Sequence, residues 1–89
     1  MYQAIQTKYL AATNVRGSRI KATAAAGSIT LHFDSGLNSE ANHVRAARQL
    51  AERYGWEGTW HGGSIPGTSG YAFVLASDDP RDGFKVSPA

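Results

Sequence analysis

One segment of the chain, from about residue 38 to residue 54, has the pattern of an amphipathic helix. Asn38 or Ser39 can accept hydrogen bonds from the free amides of the first turn, and Gly55 suits a left-handed C-terminal cap. Apolar residues recur in this segment at steps of three and four, at Val44, Ala47, Leu50, Ala51 and Tyr54. A single helix with one apolar stripe needs a second layer to pack against, which constrains the fold more than any other feature.

The remaining segments mostly alternate between apolar and polar residues, which is typical of half-buried β-strands. This pattern predicts strands at residues 3–10, 19–23, 28–33 and 57–61, and an apolar run predicts a central strand at residues 71–76. The order β-β-β-α-β-β predicts an α+β fold, in which a single helix packs on one face of an antiparallel sheet of about five strands. We expect its core to contain Val44, Leu50, Ile29, Leu31, Phe73 and Leu75.

The length of 89 residues provides material for one domain. We expect residues 1–77 to form a single α+β domain and residues 78–89 to form a loosely held C-terminal tail. A domain of this size buries only about 60% of the surface of its unfolded chain. Its stability is therefore expected to be marginal, or to be raised by self-association into a homodimer.

The chain contains no cysteine, which excludes disulfide bonds, thiolate zinc sites and thiol nucleophiles and favours the cytoplasm. The first residues lack the basic stretch and apolar run of a signal peptide. The longest apolar run, residues 71–76, is too short to span a membrane. We expect a cytoplasmic protein without a membrane partner.

The net charge of +2 is unevenly distributed, because residues 1–33 contain four Lys and Arg residues and no acid. The alternation of the second and third strands places one set of side chains inward and leaves Arg19, Lys21, Thr30 and His32 on the opposite face. The candidate anion-binding residues in this region are Asn14, Arg16, Ser18, Arg19 and Lys21. Guanidinium groups and backbone amides freed by Gly17 can converge on a phosphate or carboxylate. The alternative is a solvated hairpin rim whose charges prevent edge-to-edge aggregation.

A second group of candidates is His32, Arg45, Arg48 and Trp60. The two arginines fall on the polar side of the predicted helix, which is more often simply solvated. An aromatic ring such as that of Trp60 is either a core anchor or a stacking platform, and a small domain more often uses it in the core.

The sequence contains no pattern that indicates catalysis or a bound metal. The three histidines, His32, His43 and His61, lack the spacing that would place two on one face, and a zinc site needs three or four ligands. No serine lies in a G-x-S-x-G turn, and no phosphate-cradling glycine pattern is present. We expect no catalytic residue, no metal and no cofactor.

Two runs of the sequence are Lys8-Tyr9-Leu10 and Thr13-Asn14-Val15-Arg16-Gly17-Ser18-Arg19-Ile20-Lys21-Ala22. They resemble a segment of small uncharacterised bacterial proteins that tend to be encoded on phages, plasmids and integrated elements. The similarity extends through residues 27–30, the start of the helix and residues 70–71. The resemblance implies a bacterial, mobile-element setting and carries over no activity or binding residue.

The leading functional hypothesis is a small non-enzymatic module that binds DNA, RNA or another polyanion through the basic loop and the exposed sheet face. The alternative is a mobile-element-encoded protein that binds and modulates a host protein. A mimic of DNA would be strongly acidic, which this chain is not.

Overall fold

The structure is a computed structural model that describes residues 4–75 and 83–86. In this part of the chain, one helix, α1 (Ser39–Arg53), packs on a six-stranded antiparallel sheet. The strands are β1 (Ala4–Leu10), β2 (Arg19–Ala24), β3 (Gly27–His32), β4 (Gly58–Ser64), β5 (Tyr71–Leu75) and β6 (Gly83–Val86). The predicted β-β-β-α-β-β order is confirmed, and β6 follows it.

The strands are arranged in the sheet in the order β3-β2-β1-β5-β4-β6. The first strand of the chain therefore lies near the middle, paired with β2 on one side and β5 on the other. β5 lies between β1 and β4, which explains why its sequence is almost entirely apolar. α1 contacts β1, β2 and β3, and it also reaches β6.

Both ends of α1 are closed as the sequence predicts. The side chain of Asn38 accepts a hydrogen bond from the Ala41 amide at 2.7 Å. At the other end, Gly55 has a φ of 68°, and its amide donates to the Glu52 carbonyl, while the Trp56 amide donates to the Ala51 carbonyl. These two bonds form a Schellman motif, which satisfies carbonyl groups that the helix leaves free.

The core lies between α1 and the sheet, but the buried face of the helix is rotated from the predicted stripe. Its buried apolar members are Ala46, Ala47, Leu50 and Ala51, which pack with Ile5, Ile20, Ala22, Trp60, Phe73 and Val86. Val44 is only partly buried, and Tyr54 is 39% exposed. Of the other predicted core residues, Ile29, Leu31 and Leu75 are partly buried and pack against the core from its margins.

Part of the predicted loose tail belongs to the sheet. β6 pairs with β4 along its length, and the side chain of Val86 is 3% exposed within the core. The tail was predicted from its prolines and acids, which do not show that β4 offers an unpaired edge to a later segment. Residues 78–82 and 87–89 lie outside the described residues.

Buried polar side chains fix the connection between β3 and α1. Asn42 is fully buried, and its side-chain amide donates to the main-chain carbonyls of Asp34, Leu37 and Asn38. Its carbonyl oxygen accepts from the Asp34 amide at 2.8 Å. Because a buried amide group is costly unless its hydrogen bonds are made, this residue specifies how the chain enters the helix.

Candidate functional site

We call the face of β1, β2 and β3 that α1 does not cover the open face. Its side chains form three cross-strand rows: Gln6, Thr23 and Ser28; Lys8, Lys21 and Thr30; and Leu10, Arg19 and His32. The predicted orientation of Arg19, Lys21, Thr30 and His32 away from the helix is confirmed by this register. Lys21, Thr30 and His32 are exposed, and Arg19 is half-buried.

The middle row places two cations against each other. Lys8 and Lys21 are directly opposite in the β1–β2 register, and both are exposed. Like charges in such a position destabilise a sheet. Neither side chain forms an ion pair or hydrogen bond with another described residue. Arg19 lies two positions from Lys21 on β2, so three cations share a small area of the open face.

No acidic residue lies on any of the six strands, which together carry Lys8, Arg19, Lys21 and Lys85. The acids within the described ranges are Asp34, Glu40, Glu52 and Glu57, in the helix and loops. Acids are thus absent from the described strands, and the formally charged side chains of the open face, Lys8, Arg19 and Lys21, are all cationic.

The strands that carry these cations are interior strands. β2 lies between β1 and β3, and β1 lies between β2 and β5. Protection of an exposed edge, the alternative explanation for cations in this hairpin, applies only to an outer strand. The positions of Lys8, Arg19 and Lys21 therefore have no role in edge protection.

Three main-chain amides of the loop of residues 11–18 form hydrogen bonds within the loop itself. The Thr13 hydroxyl accepts from the amides of Val15 and Arg16, at 3.4 Å and 3.1 Å. The Thr13 amide in turn donates to the Arg16 carbonyl at 2.7 Å. These amides are occupied within the loop, and Gly17 does not have a positive φ. The side chains of Asn14 and Arg16 are exposed and remain accessible to a ligand.

The side chain of Ser18 does not lie with the cations of the open face. Its hydroxyl is 2.9 Å from the hydroxyl of Tyr9, and its carbonyl accepts from the Phe33 amide. The rings of Tyr9 and Phe33 meet edge to face with centroids 5.5 Å apart. Ser18 therefore ties β1 to the ends of β2 and β3 on the helix side of the sheet.

Of the second group of candidates, only His32 lies on the open face, opposite Arg19. The guanidinium group of Arg45 donates to the His32 carbonyl and joins α1 to the end of β3. Arg48 lines a groove on the other side of the molecule. Trp60 is 1% exposed, with its indole N–H donating to the Trp56 carbonyl, so it is a core residue and offers no stacking surface.

Lys8 is the residue that sequence reasoning missed. Its alternation with Thr7 and Tyr9 would have placed it on the outer face of its strand. It lies opposite Lys21 because β2 is the neighbour of β1 in the sheet. The local sequence pattern of either strand does not predict this pairing.

The groove that contains Arg48 lies between α1 and strands β4 and β5 and has a volume of about 990 Å³. Its apolar wall includes Val44, Tyr71 and Phe73. The ring of Phe73 covers Gly62, where a Cβ atom would come within 2.3 Å of it. Its polar lining includes Glu40, Glu52 and Ser64.

His43 is fully buried beneath this region. Its Nδ1 atom is 2.7 Å from the Thr7 hydroxyl, which donates to the Tyr71 carbonyl at 3.4 Å. Thr7 therefore accepts from His43, which leaves Nε2 as an acceptor without a described partner. Burial lowers the pKa of His43 below its usual value of 6.5. The neutral ring is a packing element against Tyr71, whose ring centroid lies 4.6 Å away.

Among residues 4–75 and 83–86, no group of three or more His, Asp or Glu side chains is arranged to hold a metal ion. No helix in the described part of the chain has the length and apolar character needed to cross a membrane. Comparisons of the chain with models of protein families, with curated proteins and with solved structures found no match.

Proposed function

We propose that the chain is a non-enzymatic module that binds nucleic acid by contacting phosphate groups with the open face. The observation that carries this proposal is the unneutralised pair of Lys8 and Lys21, on interior strands, with Arg19 beside it. Such a pair lowers the stability of the free protein. A bound polyanion would remove the repulsion, because the cations would then face phosphates rather than each other.

The spacing of the cations suits a repeating anionic chain. Neighbouring strands are about 4.8 Å apart, and residues two positions apart on a strand are about 6.8 Å apart. Three cations within that area can contact up to three adjacent phosphates of a duplex, each strand of which carries one charge per about 3.4 Å of helix axis. Arg19 adds a planar group that can bind two phosphate oxygens together.

The open face favours duplex over single-stranded nucleic acid. The aromatic residues of β1, β4 and β5, which are Tyr9, Trp60, Tyr71 and Phe73, lie on the helix side of the sheet. Binding of single strands usually relies on bases stacking on exposed aromatic rings. Contacts to phosphates carry no sequence information by themselves. We therefore expect binding that tolerates many sequences and prefers a duplex.

The test is fluorescence anisotropy with a short labelled duplex across a salt series. Replacement of Lys8, Arg19 and Lys21 together by Ala should reduce the magnitude of the log K against log salt slope by about 2 to 3 units, since each lost phosphate contact removes about 0.9. Circular dichroism should show an intact fold, because these side chains lie outside the core.

The matched control is an equal change of charge on another element. Arg53→Ala removes one exposed cation from the last turn of α1, whereas Lys21→Ala removes one from the open face. Lys21→Ala should reduce the slope and Arg53→Ala should not. Equal effects of the two variants would show that net charge, rather than the open face, determines binding.

Binding to a host protein is the competing outcome. A pull-down from bacterial lysate with and without nuclease separates the two, because a partner held through nucleic acid is lost on digestion. A protein partner that resists nuclease and is lost in the Lys21→Ala variant would contradict the proposal.

A further inference from the structure

β3 is an outer strand whose free edge carries no usual protection. It pairs with β2 on one side, and no strand within residues 4–75 and 83–86 lies on the other. Outer strands are commonly shielded by charged side chains, proline or a bulge. β3 has the sequence GSITLH and an uninterrupted register with β2, so it has none of these.

The register shows which main-chain groups point outward from β3. The Phe33 amide donates to the Ser18 carbonyl, and hydrogen-bonded pairs alternate along an antiparallel ladder. Ile29 and Leu31 therefore bond to β2, while Ser28, Thr30 and His32 direct their N–H and C=O groups to the free edge.

Only part of this edge is available to another strand. The His32 carbonyl already accepts from the guanidinium group of Arg45. The main-chain groups of Ser28 and Thr30 have no hydrogen bond from any described residue beyond the sheet. The free acceptors thus belong to Ser28 and Thr30, which flank Ile29, and the free donors are their two amides and that of His32.

We propose that β3 pairs with β3 of a second copy, antiparallel, about a twofold axis at Ile29. In this register Ser28 of one protomer lies opposite Thr30 of its partner. Opposed residues of this type exchange both of their hydrogen bonds. All the outward groups of Ser28 and Thr30 in both copies then have partners, and Arg45 retains its bond to His32.

The side chains are also self-complementary in this register. Ile29 faces Ile29 of the partner on the helix side, where non-hydrogen-bonded pairs bring side chains close together. Leu31 faces Gly27 of the partner. The Tyr54 hydroxyl lies over Gly27, since a Cβ atom there would be 2.3 Å from it. Ile29 and Leu31 are half-buried and Tyr54 is 39% exposed in the single chain, so pairing covers apolar surface that the fold leaves accessible.

A strand of another protein would satisfy the same main-chain groups, but its side chains would not in general complement those of Ile29 and Leu31. A second copy supplies this match through its symmetry. The pairing also continues the sheet, so the open faces of both copies lie on the same side. The dimer itself does not depend on the proposed function; its consequence, a doubled set of phosphate contacts, rests on it.

One pair of edge strands buries less than the roughly 1,200 Å² of a standard stable interface, so the dimer should depend on protein concentration. Sedimentation of the full chain without nucleic acid tests this directly. The mass should rise with concentration from that of the 9.5 kDa chain toward twice that value. A monomer throughout the series would overturn the proposal, while leaving phosphate binding by the open face unaffected.

Charges introduced at Ile29, on the proposed axis, test the register. Ile29→Lys and Ile29→Glu should each lose the dimer, because each places two like charges together, and an equimolar mixture should regain it. The control is Val74→Lys, at a 45% exposed position of β5, which should dimerise like the parent. Failure of the mixture to restore the dimer would overturn the proposed axis.

Hydrogen exchange of the unmodified chain makes the test independent of how the variants fold. The amides of Ser28 and Thr30 should become more protected as protein concentration rises. Fast exchange of both amides at every concentration would overturn the proposal.

Discussion

The repulsion between Lys8 and Lys21 can be measured as a coupling free energy. If their ammonium groups lie about 6 Å apart in a medium of dielectric constant about 80, Coulomb's law gives about 0.7 kcal/mol of repulsion. This value lies within the range of about 0.2 to 1 kcal/mol for cross-strand pairs. Each single replacement by Gln should therefore stabilise the protein, and the double replacement should gain less than the sum of the two.

The assay is urea denaturation of the parent, Lys8→Gln, Lys21→Gln and the double variant at low and high salt. In about 1 M salt the screening length is about 3 Å, so the coupling should fall to about 0.1 kcal/mol. The four-protein cycle removes the effects of β-propensity that each substitution has by itself. A coupling of zero at low salt, or one that salt leaves unchanged, would refute the reasoning that this pair strains the free sheet.

Two further predictions concern the interior. Leu50→Ala should lower the free energy of unfolding by about 2 to 5 kcal/mol, because Leu50 is fully buried against the sheet; a thermal melt within a degree or two of the parent would contradict its place in the core. Burial lowers the pKa of His43 below 6.5, so the unfolded chain binds the proton more readily than the folded one. The stability that this residue contributes is present above the unfolded pKa of about 6.5 and should decline as the pH falls below it. Urea titrations over this range should show a shallower decline for His43→Gln, and identical pH profiles would contradict the assignment.

The elements that local patterns could predict are those whose ends and periods are encoded nearby. Asn38 and Gly55 mark the two ends of α1, and both caps are present as expected. The sequence predicted less well which face of α1 is buried. The predicted core includes Val44, which is only partly buried, and omits Ala46, which is fully buried. Small alanines are buried because the helix approaches the sheet closely, and this distance depends on the packing of both layers.

Buried polar residues escaped prediction for a related reason. Asn42 and His43 are polar positions that a periodicity argument assigns to solvent. Both are fully buried because specific partners satisfy them, main-chain groups of the β3–α1 connection for Asn42 and the Thr7 hydroxyl for His43. Their partners are identified only by the folded chain, as is the opposition of Lys8 to Lys21.

The position of β1 in the sheet has a consequence for the order in which the protein folds. Of the six strands, β1 is synthesised before the others, and β2 and β3 can pair with it in turn as a local meander. The other edge of β1 stays unpaired until the segment that contains Phe73, the partner of Ile5, has been synthesised. Two distant segments lose chain entropy when they meet, before the contacts between them stabilise the pair. The pairing of β5 with β1 should therefore limit the folding rate. Until that step, the nascent chain exposes the edge of what becomes an interior strand, and it is then most prone to pairing with the wrong partner.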